Sequence, residues 1–215
     1  MLYHLLYPSF NLVQYITFRT AAAGLTAFAI SLVMGPWLIR TLRGFQIGQV
    51  VRDDGPATHR SKAGTPTMGG LLILTAAIVP TLVWGDLANA FIWVAMLSTL
   101  AFGVVGFLDD YLKVVHKTHR GLRPLYKLIG QGVVAISVGL ALLWLSEREL
   151  YNTELIFPFF KELTPDLGWA YVPFGVLLLM FFSNAVNLSD GLDGLAISLF
   201  TVAAAALTAL AYVTG

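Results

Sequence analysis

Six apolar runs, separated by short polar stretches, dictate what this chain can become. They lie near 19–39, 68–85, 89–108, 128–146, 170–188 and 195–214. A helix needs about 20 apolar residues to cross a hydrocarbon layer of roughly 30 Å, and each run meets or approaches that length. The second run is the shortest and carries Pro80, which a membrane helix tolerates where neighbours satisfy the freed carbonyl. The last is rich in alanine and reads as a helix packed closely on others. With 57% hydrophobic and 12% charged residues among 215, the predicted fold is all-α: one polytopic transmembrane helix bundle of about six spans over 1–215. The chain has no cysteine, which excludes a disulfide framework and any thiolate metal site. A net charge of +1 removes the bulk electrostatic case for nucleic acid. The opening stretch from Met1 to Pro8 lacks the basic n-region of a cleavable signal peptide.

The loops between the runs are sorted by charge. Loop 40–67 holds Arg40, Arg43, Arg52, Arg60 and Lys62, and loop 109–127 holds Lys113, Lys117, Arg120, Arg123 and Lys127. Together they carry most of the 13 basic residues, so the positive-inside rule places both in the cytoplasm. Alternation then puts the 189–194 turn on the cytoplasmic side and both chain ends, including the N-terminus, on the periplasmic side. Loop 147–169 is acidic and external, and its aromatic segment Leu155 to Phe160 reads as an interfacial hairpin or short re-entrant piece. Trp84, Trp93, Trp144 and Trp169 stand at run ends, as interface anchors do.

Three polar clusters fall on the cytoplasmic side of this topology. The first, from Arg52 to Gly70, is rich in turn formers and offers His59, Arg60 and Lys62; Thr67 sits where it can cap the second run. Basic side chains beside a helix N-terminus make an anion site, against the plainer reading of an ordinary positive-inside loop. In the second cluster Asp109 and Asp110 end the third run. Adjacent carboxylates repel each other and are poorly placed at a helix C-terminus, where the macrodipole favours cations. They suit Mg²⁺, which takes one or two carboxylates together with substrate phosphates. A local salt bridge from Asp109 to Lys113, four residues on, is the structural alternative; it covers one carboxylate and leaves Asp110 unexplained.

The third cluster runs from Asn184 to Ala196 and joins the last two spans. Asn184, Asn187 and Asp190 step by three along one helix side, and Gly191 and Gly194 permit a turn or the close approach of a ligand. Asp190 and Asp193 can read a nucleobase edge, ribose hydroxyls or a metal; Asp193 as a helix cap is the structural alternative. Polar groups this dense at the end of a membrane segment are costly unless they bind something. Carboxylates, amides and a lysine, with no nucleophilic Cys or Ser motif, point to Mg²⁺-assisted phosphoryl transfer at a membrane face.

The segments Asp54 to Gly70, Gly106-Phe-Leu-Asp-Asp-Tyr-Leu-Lys113 and Asn184-Ala-Val-Asn-Leu-Ser-Asp-Gly-Leu-Asp-Gly-Leu-Ala196 together closely resemble the phospho-N-acetylmuramoyl-pentapeptide transferase family. That family is a bacterial inner-membrane branch of the polyprenyl-phosphate N-acetylhexosamine-1-phosphate transferases. The Gly64-Thr-Pro-Thr-Met-Gly-Gly70 segment looks like the muramoyl branch rather than the N-acetylglucosaminyl one. The resemblance implies a multi-pass enzyme of the bacterial inner membrane with a cytoplasmic active face and a role in peptidoglycan synthesis. It would move phospho-MurNAc-pentapeptide from UDP-MurNAc-pentapeptide to undecaprenyl phosphate, giving lipid I and UMP with Mg²⁺. Asp109 and Asp110 would be the catalytic and metal-binding pair, with Asp109 as base in a direct attack rather than as nucleophile of a phospho-enzyme. Lys62, Thr67, Asn187, Asp190, Asp193 and His59 would line the substrate site. A homodimer in membrane lipid is implied as well.

Two departures from the family pattern stand out. Ser189 occupies a position where threonine is expected, and keeps the hydroxyl. Family members also have more spans than this chain, with a third, metal-binding aspartate further on; the chain therefore reads as an N-terminal portion, inactive by itself, with the principal Mg²⁺ ligand beyond residue 215. The competing readings are a sister transferase using UDP-GlcNAc, an ion-coupled transporter, and a non-catalytic fragment. A transporter places its acids near the bilayer midplane in broken helices, whereas Asp109, Asp110, Asp190 and Asp193 lie at the ends of apolar runs.

Overall fold

A computed structural model describes residues 11–44, 68–116, 121–157, 160, 162–190 and 194–214. Six helices account for most of them: α1 (Ile16–Gly44), α2 (Gly70–Trp84), α3 (Ala90–Val115), α4 (Pro124–Glu147), α5 (Tyr171–Ser189) and α6 (Leu195–Thr214). Single 3-10 turns, Asn11–Gln14 and Gly168–Ala170, lead into α1 and α5. Among the described residues the only pairing of extended backbone is the isolated contact of Glu154 with Asp166. Five helices are long and apolar enough to cross a membrane; α2, with 15 residues, is the shorter sixth. At 1.5 Å per residue α2 is roughly 22 Å long, less than a hydrocarbon layer. The polytopic all-α architecture thus follows the six runs.

The helix ends differ from the hydropathy edges in an informative way. The run expected to stop at 108 continues as helix to Val115, so Asp109 and Asp110 lie inside α3 rather than in a loop. The fourth run, expected from 128, begins at Pro124, a residue suited to the first helical turn because the missing N–H would be unpaired there. The loop between them therefore shrinks from 109–127 to the residues between Val115 and Pro124. Thr67, expected to cap α2, lies outside the described residues. The N-cap position is Gly69, preceded by Met68 in the left-handed region at φ 71°.

The contacts divide the chain into two units, Met1–Val134 and Ala135–Gly215. In the first, α1 and α2 pack antiparallel. Phe18 and Trp84 meet edge to face at 6.1 Å, and the Trp84 Nε1–H donates to Thr26 Oγ1 at 3.0 Å. At the other end Gly35 lies against Leu72. A half-buried indole N–H at a helix end is satisfied by such a partner. Between α2 and α3 the chain turns within five residues: the Asp86 carboxylate accepts from the Ala88 N–H, and Asn89 Oδ1 caps α3 by accepting from the Phe91 N–H at 2.9 Å. Glycines admit neighbours along the helices. Gly103 faces Leu74, and Gly130 faces Val105 at 3.2 Å from where a Cβ would sit.

In the second unit Gly139 gives the same close approach to Val172, and Tyr151 and Tyr171 join their hydroxyls at 2.5 Å. The connection from α4 to α5 folds back on itself. The Leu155 N–H donates to the Pro165 carbonyl, and the Leu167 N–H to that of Thr153. The Thr153 hydroxyl donates to the Asp166 carboxylate, which also accepts from the Gly168 N–H at 3.0 Å. Residues 153–155 and 165–167 thus run back along one another within loop 147–169; the stretch Leu155 to Phe160, read as an interfacial hairpin or short re-entrant piece, lies only partly within the described residues. Serine, threonine and asparagine within the helices bond to carbonyls one turn back, as Thr75, Thr201 and Asn184 do, so their polar groups do not meet an apolar phase unpaired. Large apolar side chains stay exposed along every long helix, as a lipid-facing surface requires.

Candidate active site

The second polar cluster is built by α3 and by the chain that enters α4, all within the first unit. Asp109 lies two turns before the end of α3, where the helix has turned it away from solvent; its side chain is 12% exposed against 37% for Asp110. Next along the helix, Lys113 reaches back to both. Its Nζ is 2.8 Å from Asp109 Oδ2 and 3.0 Å from Asp110 Oδ1. The spacings of four and three that bring helix neighbours together therefore act at once. This corrects the expectation that a local ion pair covers one carboxylate only: one ammonium spans the pair. A positive charge in the last turn also offsets the unfavourable placing of two acids at a helix C-terminus.

Asp109 is gripped further from outside its own helix. Oδ1 accepts from the Leu122 N–H at 2.8 Å, and Lys127 Nζ, on the first turn of α4, lies 3.9 Å from Oδ2. The backbone can come this near because residue 121 is glycine. A Cβ there would overlap the Asp109 carboxylate and stand 2.7 Å from its backbone carbonyl oxygen. Each oxygen of Asp109 thus has a fixed direction: Oδ1 toward the peptide, Oδ2 toward two ammonium groups. Charge-assisted contacts of this kind are short and directional.

Hard carboxylate oxygens suit a divalent cation bound together with phosphate, and the two ammonium groups beside them suit the phosphate. Asp109 and Asp110 fit as one or two of the ligands of Mg²⁺. Among the described residues no cluster of three His, Cys, Asp or Glu side chains exists, so this pair does not form a metal cage by itself.

The third cluster belongs to the second unit. Asn184 and Asn187 lie on the last turns of α5, and Asp190 follows as its C-cap residue, with its N–H bonded to the Val186 carbonyl at 3.1 Å. The Asn184 amide donates to the Met180 carbonyl at 2.8 Å, whereas Asn187 and Asp190 are exposed. Gly194 leads into α6 at φ 81°, a left-handed conformation that glycine adopts without strain. Lys62, His59, Thr67 and Asp193 lie outside the described residues. Sequence reasoning missed Gly121, the Leu122 N–H and Lys127 as parts of the cluster. Lys113 was legible from its spacing; the others come from the first turn of α4 and the stretch just before it, and carried no local signal. The contrast drawn with a transporter also weakens in one respect, because Asp109 lies six residues inside a span-length helix rather than at its edge.

Comparison with known proteins bears on both clusters. The family described as glycosyl transferase family 4 matches residues 92–215, which contain them. A signature described as phospho-N-acetylmuramoyl-pentapeptide-transferase signature 1 matches residues 62–74. The chain is 49% identical over 239 residues to a phospho-N-acetylmuramoyl-pentapeptide-transferase of Koribacter versatilis, covering 100% of this chain and 63% of the relative. It is 48% identical to the protein so named in Pelobacter propionicus, covering 100% of this chain and 61% of that one. The corresponding Desulfatibacillum aliphaticivorans protein is 50% identical, with 99% of this chain and 60% of the relative covered. The chain thus spans about three-fifths of the length of these curated relatives.

Proposed function

The chain belongs to glycosyl transferase family 4, and from that premise we propose that it is part of an enzyme transferring phospho-MurNAc-pentapeptide from UDP-MurNAc-pentapeptide to undecaprenyl phosphate, giving lipid I and UMP. The observation that carries this reading is near-50% identity over the whole chain to relatives of that name, together with their signature at 62–74. The enzyme sits in the bacterial cytoplasmic membrane with its active face toward the cytoplasm, as the basic loops argue. A reporter fused after Gly121 is expected to read as cytoplasmic; a periplasmic signal would overturn that orientation.

Asp109 serves as the base. Lys113 and Lys127 beside its Oδ2 attract the phosphate of the lipid carrier, and Oδ2 takes the phosphate proton. The freed oxygen attacks the β-phosphorus of the sugar nucleotide. The new P–O bond forms as the bond to UMP breaks, and UMP leaves with the electron pair. Asp109 and Asp110 would hold Mg²⁺, which would supply charge neutralisation for the diphosphate. The principal metal ligand is proposed to come from the part of the longer relatives that this chain does not match. These 215 residues by themselves are accordingly expected to be inactive. His59, Lys62, Thr67, Asn187, Asp190 and Asp193 line the nucleotide and diphosphate site, and the enzyme works as a homodimer.

The test is UMP release by the full-length protein in membranes free of the host enzyme, with undecaprenyl phosphate and either UDP-MurNAc-pentapeptide or UDP-GlcNAc. Mg²⁺-dependent release with the muramoyl substrate is expected. Release with UDP-GlcNAc alone would transfer the assignment to the sister enzyme, and turnover without Mg²⁺ would remove the metal role. Release by the 215 residues alone would show that the proposed outside ligand is dispensable.

A further inference from the structure

Asp109 differs from an ordinary ion-paired carboxylate in being touched by a peptide from another segment. The contact depends on two adjacent residues that carry no chemistry of their own. Gly121 supplies the room: a Cβ would collide with three atoms of Asp109, one of them the backbone carbonyl oxygen, which cannot swing aside as a side-chain tip does. Leu122 supplies the donor: its N–H meets Asp109 Oδ1 at 2.8 Å, while Oδ2 is left to the two ammonium groups. The same three-residue stretch leads into Pro124 and α4, whose first turn carries Lys127. The peptide donor and the second ammonium are therefore fixed to one another through a short, stiff link.

We propose that Gly121 is a positioning residue for the transfer reaction, acting through the Leu122 N–H. By admitting the peptide against Oδ1 it sets the rotation of the Asp109 carboxylate, so that Oδ2 is the oxygen presented to the phosphate. This rests on the transferase reading above and adds a residue to it. Any side chain at 121 pushes the peptide off Oδ1, and the carboxylate then rotates toward Lys113 alone. Ground-state binding of the nucleotide, which the proposed function assigns to other residues, is left unchanged, whereas the rate of the step that uses Oδ2 falls. A displacement of about 1 Å in a positioned group is enough to cost a large factor in rate.

The experiment compares variants of the full-length protein, with rates normalised to the folded, monodisperse fraction so that poor yield does not register as poor turnover. Gly121→Ala is expected to lower kcat about tenfold or more, the worth of one hydrogen bond to a charged group, with KM for UDP-MurNAc-pentapeptide held within about twofold. Leu122→Pro removes the donor and is expected to match Gly121→Ala. Gly24→Ala, at a glycine with open space around it, is the control for adding a methyl group. In an Asp109→Glu background, where the carboxylate is already displaced, Gly121→Ala is expected to cost far less than in the parent.

Full activity in Gly121→Ala, in a parent that loses turnover on Asp109→Asn, overturns the positioning role and leaves the transferase reading standing. An undiminished cost of Gly121→Ala in the Asp109→Glu background shows a merely structural effect and also overturns it. A parent that releases no UMP at all overturns the transferase reading, and the positioning role falls with it.

Discussion

Two carboxylates in this molecule are seated by the same pair of devices, a side-chain donor and a backbone N–H from another residue, yet they stand in opposite surroundings. Asp166 lies in the turn before α5, exposed, taking a hydroxyl from Thr153 and the N–H of Gly168 two residues on. Asp109 lies inside a span-length helix, buried, and takes the N–H of Leu122 from thirteen residues away. The exposed acid needs no counter-charge, because water serves. The buried one is met by two ammonium groups, because a carboxylate without water must be paired. Burial thus turns a local turn motif into a tertiary junction, and the junction is where the proposed chemistry lies.

The largest test of this contrast is direct. In the full-length protein Asp109→Asn is expected to lower turnover by about a hundredfold or more, the usual worth of a positioned acid or base. Asp166→Asn is expected to leave turnover within about twofold, as substitutions away from a site do. A comparable loss from both would erase the distinction. Next in size, Lys113→Met removes the ammonium shared by two acids and is expected to destabilise the protein by about 1–3 kcal/mol in a detergent melt. Lys127→Met, whose ammonium is 3.9 Å from Asp109, is expected to cost about 1 kcal/mol or less. An equal loss from the two would show that the grip is shared evenly. Thr153→Val, which leaves Asp166 with the Gly168 N–H alone, is expected to cost about 1 kcal/mol in the same melt.

The smallest effect is a dependence on pH. The Thr153 hydroxyl, and after it the Gly168 N–H, hold the Asp166 carboxyl below its ordinary value. A depressed folded-state value means that the contribution to stability is complete above the ordinary carboxylate range and fades as pH falls through the folded value. Cleavage of the 152–168 hairpin by a protease is therefore expected to rise as pH drops into the acid range. The rise should be blunted in Asp166→Asn. An identical pH dependence in the variant would assign the titration to another group.

Much of the fold was legible because lipid imposes a coarse rule. Runs such as 89–108 and 195–214 have to be helices, and they are. What misled was charge at a run's edge. Asp109, Asp110 and Lys113 end the apolar stretch near 108, yet pairing among them lets the helix continue to Val115. Pro124 and Lys127 hid the start of α4 in the same manner. In the site, the aspartate pair was visible as an anomaly of like charges, and Asn184, Asn187 and Asp190 as a helical step. Gly121 and Leu122 were not visible. Neither has a functional group, and their part depends on a tertiary approach that spacing does not encode.

The Leu122 amide lies outside any helix, where backbone N–H groups ordinarily exchange with solvent within moments, and yet it is bonded to a buried anion. Its proton is thereby a resident reporter of the carboxylate beneath it. A slow-exchanging, strongly deshielded resonance from a loop leucine follows from that seat. Anything that neutralises or turns the carboxylate, whether a proton, a metal ion or an arriving phosphate, is written into the line before any product forms.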